Sequence, residues 1–309
     1  MIKRDLGKID CFGLTRKHPS YRRRSDRFVI ADIRPAMIVH KSSDEPSETN
    51  RVFGSSQGQL LVIADGVGER ASAARASAVA IDTLNDHLLS LLSIPTTEDA
   101  AYRESDLFQE FSLAIEECQR AMQQEVDAAD RFRDMGAVLT MVYLDWPHAY
   151  VAHVGNNRAY HWRQCSVDQV TEDHTMARRL VDAGKLSPSR AETSPLKNVV
   201  WNLVGTQIDH VRPQCENVKL QIGDALVLCS DGMASAIRRP EVGDALEQTD
   251  SAQESCESIF EIADARGLDD DATVVVARFR KPTDPTRFSE ANTSNSSPPS
   301  CSVKKVATV

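Results

Sequence analysis

Long apolar runs are missing from this sequence. No stretch approaches the roughly 20 consecutive apolar residues that a membrane-spanning helix needs. The start of the chain, Met1-Ile2-Lys3-Arg4-Asp5, leads into no apolar signal region. These absences argue against an integral membrane protein and against a secreted one. We therefore predict a soluble, cytoplasmic protein with no membrane partner.

Positive charge and the common nucleotide and zinc motifs are also scarce. The chain has 36 Lys and Arg residues against 45 Asp and Glu residues, a net charge of −9, which disfavours nucleic acid as a partner. It contains no G-x-x-x-x-G-K-[ST] motif and no G-x-G-x-x-G after a strand, so the simplest nucleotide-binding folds are not indicated. None of the seven cysteines belongs to a C-x-x-C pair, so the usual zinc-ligand spacing is absent as well.

Apolar periodicity divides the chain into blocks of strands and blocks of helices. Strand-like segments are predicted at 28–38, 137–144, 150–154 and 158–162, and helices at 71–91, 105–126 and 252–265. A short helix is predicted near Met176, with Asp173 as N-cap and Gly184 after its end. This segregation predicts one α+β domain over residues 1–280, which we expect to be monomeric. Residues 281–309 are rich in Pro, Ser, Thr and Asn, so we expect a disordered tail.

Three apolar runs carry an acidic residue at one end. Leu60 to Ala64 leads into Asp65-Gly66, Ala225 to Cys229 leads into Ser230-Asp231-Gly232, and Asp269-Asp270-Asp271 precedes Ala272 to Ala277. Asp-Gly after an apolar run is more often an ordinary turn, and a triple-Asp run is more often simply solvated. Carboxylates fixed at strand ends are also the oxygen ligands that Mg²⁺ and Mn²⁺ prefer. The runs therefore predict a metal site if their ends converge.

Seven motifs in order give the chain a resemblance to the metal-dependent, type 2C-like serine/threonine protein phosphatases, in their bacterial form. The resemblance covers about residues 20–280. Each motif alone is weak, and together they make a strong signal. The matching stretches are Ala64-Asp65-Gly66-Val67-Gly68, 135–140, 153–160, 171–184, 198–205, 223–232 and the D-N-x-T-type strand from Asp270 to Val276.

The resemblance implies a fold, a cofactor and a reaction. The fold would be a sandwich of two antiparallel β-sheets flanked by α-helices. Two Mg²⁺ or Mn²⁺ ions would be held by Asp65 as the bridge, the Gly66 carbonyl, Asp231 and Asp270, with Asp26 behind them. A hydroxide bridging the two ions would attack the phosphorus of a phosphoserine or phosphothreonine. The implied partners are phosphorylated protein substrates and a counterpart serine/threonine kinase.

The sequence departs from the family pattern at two places near these residues. The family motif Arg-x-x-Asn-[Glu/Gln]-Asp corresponds here to 21–26, so Ser25 replaces the Glu or Gln and the Arg is out of register. Arg22 is therefore the candidate phosphate contact. Asn156 stands where many bacterial members have an Asp that helps to bind a third metal. An amide is a neutral ligand, so we expect a third ion to be weak or absent.

Two alternatives to an active protein phosphatase stay open on the sequence. A weakly active or inactive homologue could bind phosphoproteins and regulate signalling, as Ser25, Asn156 and the displaced Arg suggest. A different metal-dependent phosphohydrolase could act on small molecules. Because Asp65, Asp231 and Asp270 are all present, the active phosphatase remains the leading hypothesis.

Overall fold

The computed structural model describes residues 8–21, 23–33, 36–38, 51–53, 58–90, 100–128, 132–206 and 210–280. Over these residues the chain forms two antiparallel sheets with helices on their outer faces, which confirms the predicted α+β sandwich. In the described part of the chain no helix is long and apolar enough to cross a membrane. The tail predicted for 281–309 lies outside the described residues. Most of 41–58, whose Ser, Glu, Asn and Gly content predicts an exposed hairpin connection, lies outside them as well.

Eleven of the strands make up the two sheets. The first sheet has the order β1 (Lys8–Arg16), β13 (Ala272–Arg280), β12 (Ala225–Cys229), β8 (Arg158–Arg163) and β9 (Ser166–Gln169). The second has the order β11 (Gln214–Lys219), β7 (His148–Val154), β6 (Gly136–Asp145), β5 (Gly58–Val67) and β2 (Asp26–Ile33), with β10 (Val204–Gly205) paired to β6. A separate short pair consists of β3 (Ala36–Ile38) and β4 (Arg51–Phe53).

Helices cover the outer face of each sheet. The helices are α1 (Arg70–Ser90), α2 (Ala100–Ala128), α3 (Met176–Asp182), α4 (Pro188–Thr193), α5 (Asp231–Ala236), α6 (Arg239–Glu247) and α7 (Ala252–Arg266), with a 3₁₀ turn at Pro195–Asn198. The apolar faces of α1 and α2 pack on the second sheet, and those of α5, α6 and α7 pack on the first. A third apolar layer fills the space between the sheets, with Leu61, Val142 and Val275 at its centre. Burial of these three layers, at about 25 cal/mol per Å² of apolar surface, holds the strands that carry the acidic residues in fixed positions.

Several local predictions differ from the structure. Strand β1 and helices α5 and α6 were not predicted, and α2 begins five residues before the predicted start at position 105. The N-cap of α3 is Thr175, whose hydroxyl accepts from the N–H of Arg178, so the assignment of Asp173 is wrong. Asp173 instead binds the guanidinium of Arg158 through two oxygens. Gly184 follows the helix with a φ of +68°, as predicted for the residue after the cap.

Candidate metal centre

Asp26 and Asp65 face each other at the end of the second sheet. They are directly paired in the antiparallel register of β2 and β5, and both side chains are buried, with exposures of 1% and 8%. Asp231 is the first residue of α5, immediately after β12 and Ser230. Its carboxyl group reaches Asp65 from the first sheet, so side chains from both sheets meet at this end of the sandwich.

The close approach of these carboxyl groups has an electrostatic cost. Burial first, then the negative charges of Asp26 and Asp231, hold the pKa of Asp65 well above its usual range. Burial also raises the pKa of Asp26, although hydrogen bonds to its oxygens oppose the shift. Carboxylates that share a buried site resist ionisation together unless a cation is close to them. A divalent ion at this position would remove the repulsion.

Asp270 completes the acidic group from the turn before β13. A Cβ atom at Gly232 would lie 2.1 Å from the carbonyl oxygen of Asp271 and 3.4 Å from Cβ of Asp270. The turn therefore packs directly on the first turn of α5, which places Asp270 beside Asp231. Partial burial and the charges of Asp231 and Asp271 raise the pKa of Asp270, against a hydrogen bond from Tyr21 that lowers it.

The backbone of Gly66 lies in the same place because α1 passes close to it. A Cβ atom there would lie 1.8 Å from the carbonyl oxygen of Ala73, so no larger residue fits. The N–H of Gly66 donates to the carbonyl oxygen of Ser25 at 3.3 Å. Beside these residues is a cavity of about 230 Å³, and its walls are formed by Tyr21, Arg23, Ser25, Gly66, Gly68, Ala73 and Asp270.

The donor atoms fit a hard divalent cation. All are carboxylate or carbonyl oxygens, and Oδ1 of Asp26 is buried without a hydrogen-bond donor, as expected for an atom on the edge of an ion site. No three His, Cys, Asp or Glu side chains of the described ranges are arranged so that they alone could hold a metal ion. Mg²⁺ commonly takes one or two carboxylates and keeps several waters. The residues thus suit Mg²⁺ or Mn²⁺ completed by water, rather than a closed protein cage.

Two threonine hydroxyl groups of the first sheet hold Asp26 in place. The Thr273 hydroxyl donates to Oδ2 of Asp26 at 2.8 Å, and the Thr15 hydroxyl lies 2.8 Å from the Thr273 hydroxyl. Because one hydroxyl has a single proton, Thr15 donates to Thr273 while Thr273 donates to Asp26. The first sheet therefore fixes an acid on the second sheet.

Other residues singled out from the sequence lie close by or have structural roles. Arg22 lies outside the described residues. Asn156 donates from Nδ2 to Oδ2 of Asp231 at 3.2 Å, so it contacts the acidic group as a donor. His153 is fully buried, and its Nε2 lies 3.0 and 3.1 Å from the carbonyl oxygens of Gly155 and Glu172. Nδ1 of His174 accepts from the N–H of Gly155.

Three residues near the site were not identified from the sequence. Tyr21 and Arg23 line the cavity, and Asp271 is buried, with an exposure of 1%. Asp271 was not identified because it belongs to a run of three Asp residues, and consecutive acids usually point to solvent. Its position as the residue before a buried strand, where the D-N-x-T pattern has a polar side chain, was the available signal. Arg23 could not be separated from Arg22 and Arg24 without the loop conformation.

The sequence matches known proteins over most of its length. The sequence model of the protein phosphatase 2C family matches residues 40–273, which is 234 of the 309 residues. Protein phosphatase PhpP of Streptococcus pneumoniae is 28% identical over 244 residues, which cover 79% of this chain and 95% of PhpP. Serine/threonine protein phosphatase PstP of Mycobacterium tuberculosis is 29% identical over 220 residues, 71% of this chain and 40% of PstP.

Solved structures show the same fold. A serine/threonine phosphatase of S. agalactiae superposes with a TM-score of 0.72 at 22% identity, covering 88% of this chain and 100% of that one. The catalytic domain of PstP, solved in complex with two manganese ions, superposes with a TM-score of 0.67 at 23% identity, covering 88% and 98%. At these identities the structural likeness establishes the architecture.

Proposed function

The chain belongs to the protein phosphatase 2C family, and from this premise we propose that it removes phosphate from phosphoserine and phosphothreonine in protein substrates with the help of divalent metal ions. The observation that carries the proposal is the meeting of Asp65 and Asp231, from two different sheets, at one end of the sandwich. An acidic cluster built from both sheets has no role in stability that apolar side chains would not fulfil better. Its role is therefore functional.

Four residues would hold the metal ions. Asp65 would be the shared ligand, the carbonyl of Gly66 and the carboxylates of Asp231 and Asp270 would complete the protein ligands, and Asp26 would orient Asp65 from the neighbouring strand. When bound, two Mg²⁺ or Mn²⁺ ions supply an activated water as nucleophile and neutralise charge on the phosphoryl group. This chemistry uses no covalent phosphoenzyme, which agrees with the burial of Cys118, Cys229 and Cys256.

Arg23 is a residue that we propose as a phosphate contact, and Arg22 stays a prediction because it lies outside the described residues. Arg23 lines the cavity that also contains Gly66 and Asp270. A guanidinium can bind two phosphate oxygens at once, which would orient the phosphoryl group over the acidic residues. Tyr21, on the same wall, donates to Asp270 and holds that carboxylate beside the cavity.

Two ions are the full complement, because Asn156 presents an amide donor to Asp231 instead of a further carboxylate. The protein acts as a monomer on substrates that a serine/threonine kinase has phosphorylated. Residues 1–280 are its catalytic domain. Hydrolysis by an active enzyme is favoured over phosphoprotein binding by an inactive homologue, because Asp231 lies close to both Asp65 and Asp270.

The experiment that tests the proposal is hydrolysis of p-nitrophenyl phosphate and of a phosphothreonine peptide with Mn²⁺. Asp231→Asn removes one charged ligand, and we expect its rate to fall at least 100-fold, since metal ions contribute several kcal/mol to stabilising the transition state. Asp244→Asn, an exposed acid on α6, is the matched control and should keep the wild-type rate. A chelator should abolish the wild-type activity.

Two outcomes would contradict the proposal. Equal residual rates in wild type and Asp231→Asn would refute catalysis at this site. Rapid hydrolysis of sugar phosphates without hydrolysis of the phosphopeptide would assign the site to small-molecule substrates.

A further inference from the structure

Asp271 is a buried carboxylate. Among the described residues, the hydrogen-bond donors that reach its side chain from other segments all lie in the loop between β1 and β2. Its Oδ1 accepts from the N–H of His18 at 2.7 Å. Its Oδ2 accepts from the N–H of Ser25 at 2.6 Å and from the Ser25 hydroxyl at 2.9 Å. Asp271, in the turn before β13, thus holds both ends of the loop that carries Tyr21 and Arg23.

The same carboxylate connects three parts of the candidate metal centre. The N–H of Asp271 donates to Oδ1 of Asp270 at 2.8 Å, which orients that side chain. Ser25 precedes Asp26 in the chain, and the carbonyl oxygen of Ser25 accepts from the N–H of Gly66. A displacement of Asp271 would therefore also shift Asp270, Asp26 and Gly66, although Asp271 itself would bind no ion.

Both partners of this contact depart from the family pattern, and the departures complement each other. Ser25 replaces a Glu or Gln, so the long acceptor is missing there, and Asp271 replaces the Asn of the D-N-x-T pattern, so an acid is gained. A short hydroxyl can donate to a carboxylate but cannot span the distance that a longer side chain covers. In this chain the Asp271 carboxylate accepts from both the N–H and the hydroxyl of Ser25, so the acid and the short hydroxyl complement each other.

We propose that Ser25 and Asp271 form a coupled positioning pair that holds the phosphate-facing loop and the metal ligands in register. Asp271 orients Asp270 through its N–H, and it holds the loop through three hydrogen bonds, two from Ser25 and one from His18. The Ser25 departure is therefore compensated and leaves the site competent to bind metal. This inference rests on the proposed metal-dependent function, and it assigns neither residue a direct contact with substrate.

The test is a double-mutant cycle with Mn²⁺ affinity, measured by titration calorimetry on the full chain, as the main readout. In Asp271→Asn, the new amide group places an N–H against a backbone N–H that the wild-type carboxylate accepts. In Ser25→Glu, the new carboxylate lies against that of Asp271 and repels it. We expect each single variant to bind Mn²⁺ about tenfold more weakly, the usual effect of losing a partner that orients a ligand. The double variant Ser25→Glu/Asp271→Asn restores an acid–amide pair and should recover to within about threefold of wild type.

Asp224→Asn is the matched control for loss of a buried carboxylate. Asp224 is 3% exposed and accepts from Arg163, His161 and the N–H of Gln221, remote from the acidic cluster. Its variant should lose thermal stability and keep the wild-type Mn²⁺ affinity. Rescue of affinity in the double variant is a result that a merely structural role would not produce.

The outcomes separate this proposal from the proposed function. Wild-type Mn²⁺ affinity in Asp271→Asn, or losses that multiply in the double variant, would overturn the coupling even if the protein is an active phosphatase. Conversely, weakened binding and rescue in a protein that hydrolyses no phosphopeptide would support the positioning pair and refute the catalytic proposal. If the wild-type chain binds no Mn²⁺ at all, both are overturned.

Discussion

Asp26 and Asp65 are direct cross-strand partners, and the Oδ1 atom of Asp26 is buried without a hydrogen-bond donor. Neighbouring acids on paired strands destabilise a sheet by their repulsion. The folded chain keeps the pair because Thr273 fixes one side and a cation can bind on the other. We therefore expect metal binding and folding stability to be linked at Asp65.

The first prediction concerns thermal stability with and without metal. Mn²⁺ at about 100 times its dissociation constant should stabilise the wild-type protein by about 2.7 kcal/mol, which raises Tm by about 4–5 °C for a chain of this size. Asp65→Asn should lose most of this rise, because the bridging carboxylate is gone. Without metal, the same variant should melt above the wild type, since an amide can donate to Oδ1 of Asp26. Differential scanning calorimetry with EDTA or Mn²⁺ measures both effects.

Asp244→Asn serves as the control for that experiment and should keep both the metal-free Tm and the Mn²⁺ response. An unchanged Mn²⁺ response in Asp65→Asn would contradict the assignment of this residue as the bridge.

The second prediction concerns acid lability and rests on His153. Burial first, and then the neighbouring His174, lowers the pKa of His153 to about 3. Nε2 faces two carbonyl oxygens, so it carries the proton of the neutral ring, and Nδ1 accepts from the Thr140 hydroxyl. The unfolded chain binds this proton near pH 6.5, so stability is full above pH 6.5 and falls as the pH drops toward 3. The slope is about 1.4 kcal/mol per pH unit for this group.

Urea unfolding at several pH values between 4.5 and 7.5 measures that slope. His153→Gln should reduce the slope by about one proton, whereas His148→Gln, a substitution on the rim of β7, should leave it unchanged. An identical slope in His153→Gln and wild type would refute this origin of the acid lability.

The third prediction concerns Arg23 on the cavity wall. Loss of a charge-assisted hydrogen bond to phosphate costs about 1.5–3 kcal/mol, so Arg23→Ala should lower kcat/KM about 10- to 100-fold. Inhibition by inorganic phosphate should weaken in parallel, while Mn²⁺ affinity stays at the wild-type value. Arg24→Ala is the matched control, because Arg24 is exposed and does not line the cavity. Equal effects of the two substitutions would refute a specific phosphate contact at Arg23.

Short apolar runs and helical periodicity predicted an α+β domain, as in β5, β6 and α7, and the resemblance to the phosphatase family supplied the two-sheet sandwich. It could not reveal that Asp231 begins a helix, because Ser-Asp-Gly after a strand has the composition of a turn. Strand β1 was not predicted because its apolar residues are divided between two layers. Ile9 and Cys11 lie between the sheets, and Phe12 and Leu14 lie under the helices. The contacts of Asp271 depend on the fold of a distant loop, so no local pattern could show them.

The last prediction concerns the number of metal ions. The Asn156 amide donates to Oδ2 of Asp231, and an amide in this place adds no negative charge to the site. We expect the wild-type protein to bind two Mn²⁺ ions per chain, counted by anomalous scattering from crystals and by calorimetric stoichiometry.

Asn156→Asp exchanges the donor for a carboxylate, and this variant should bind a third ion because carboxylates are the ligands that Mn²⁺ prefers. Asn217→Asp, at an exposed position on β11, is the control and should stay at two ions. Three ions in the wild-type crystals would refute this interpretation of Asn156, and two ions in Asn156→Asp would show that charge at position 156 does not limit the metal content.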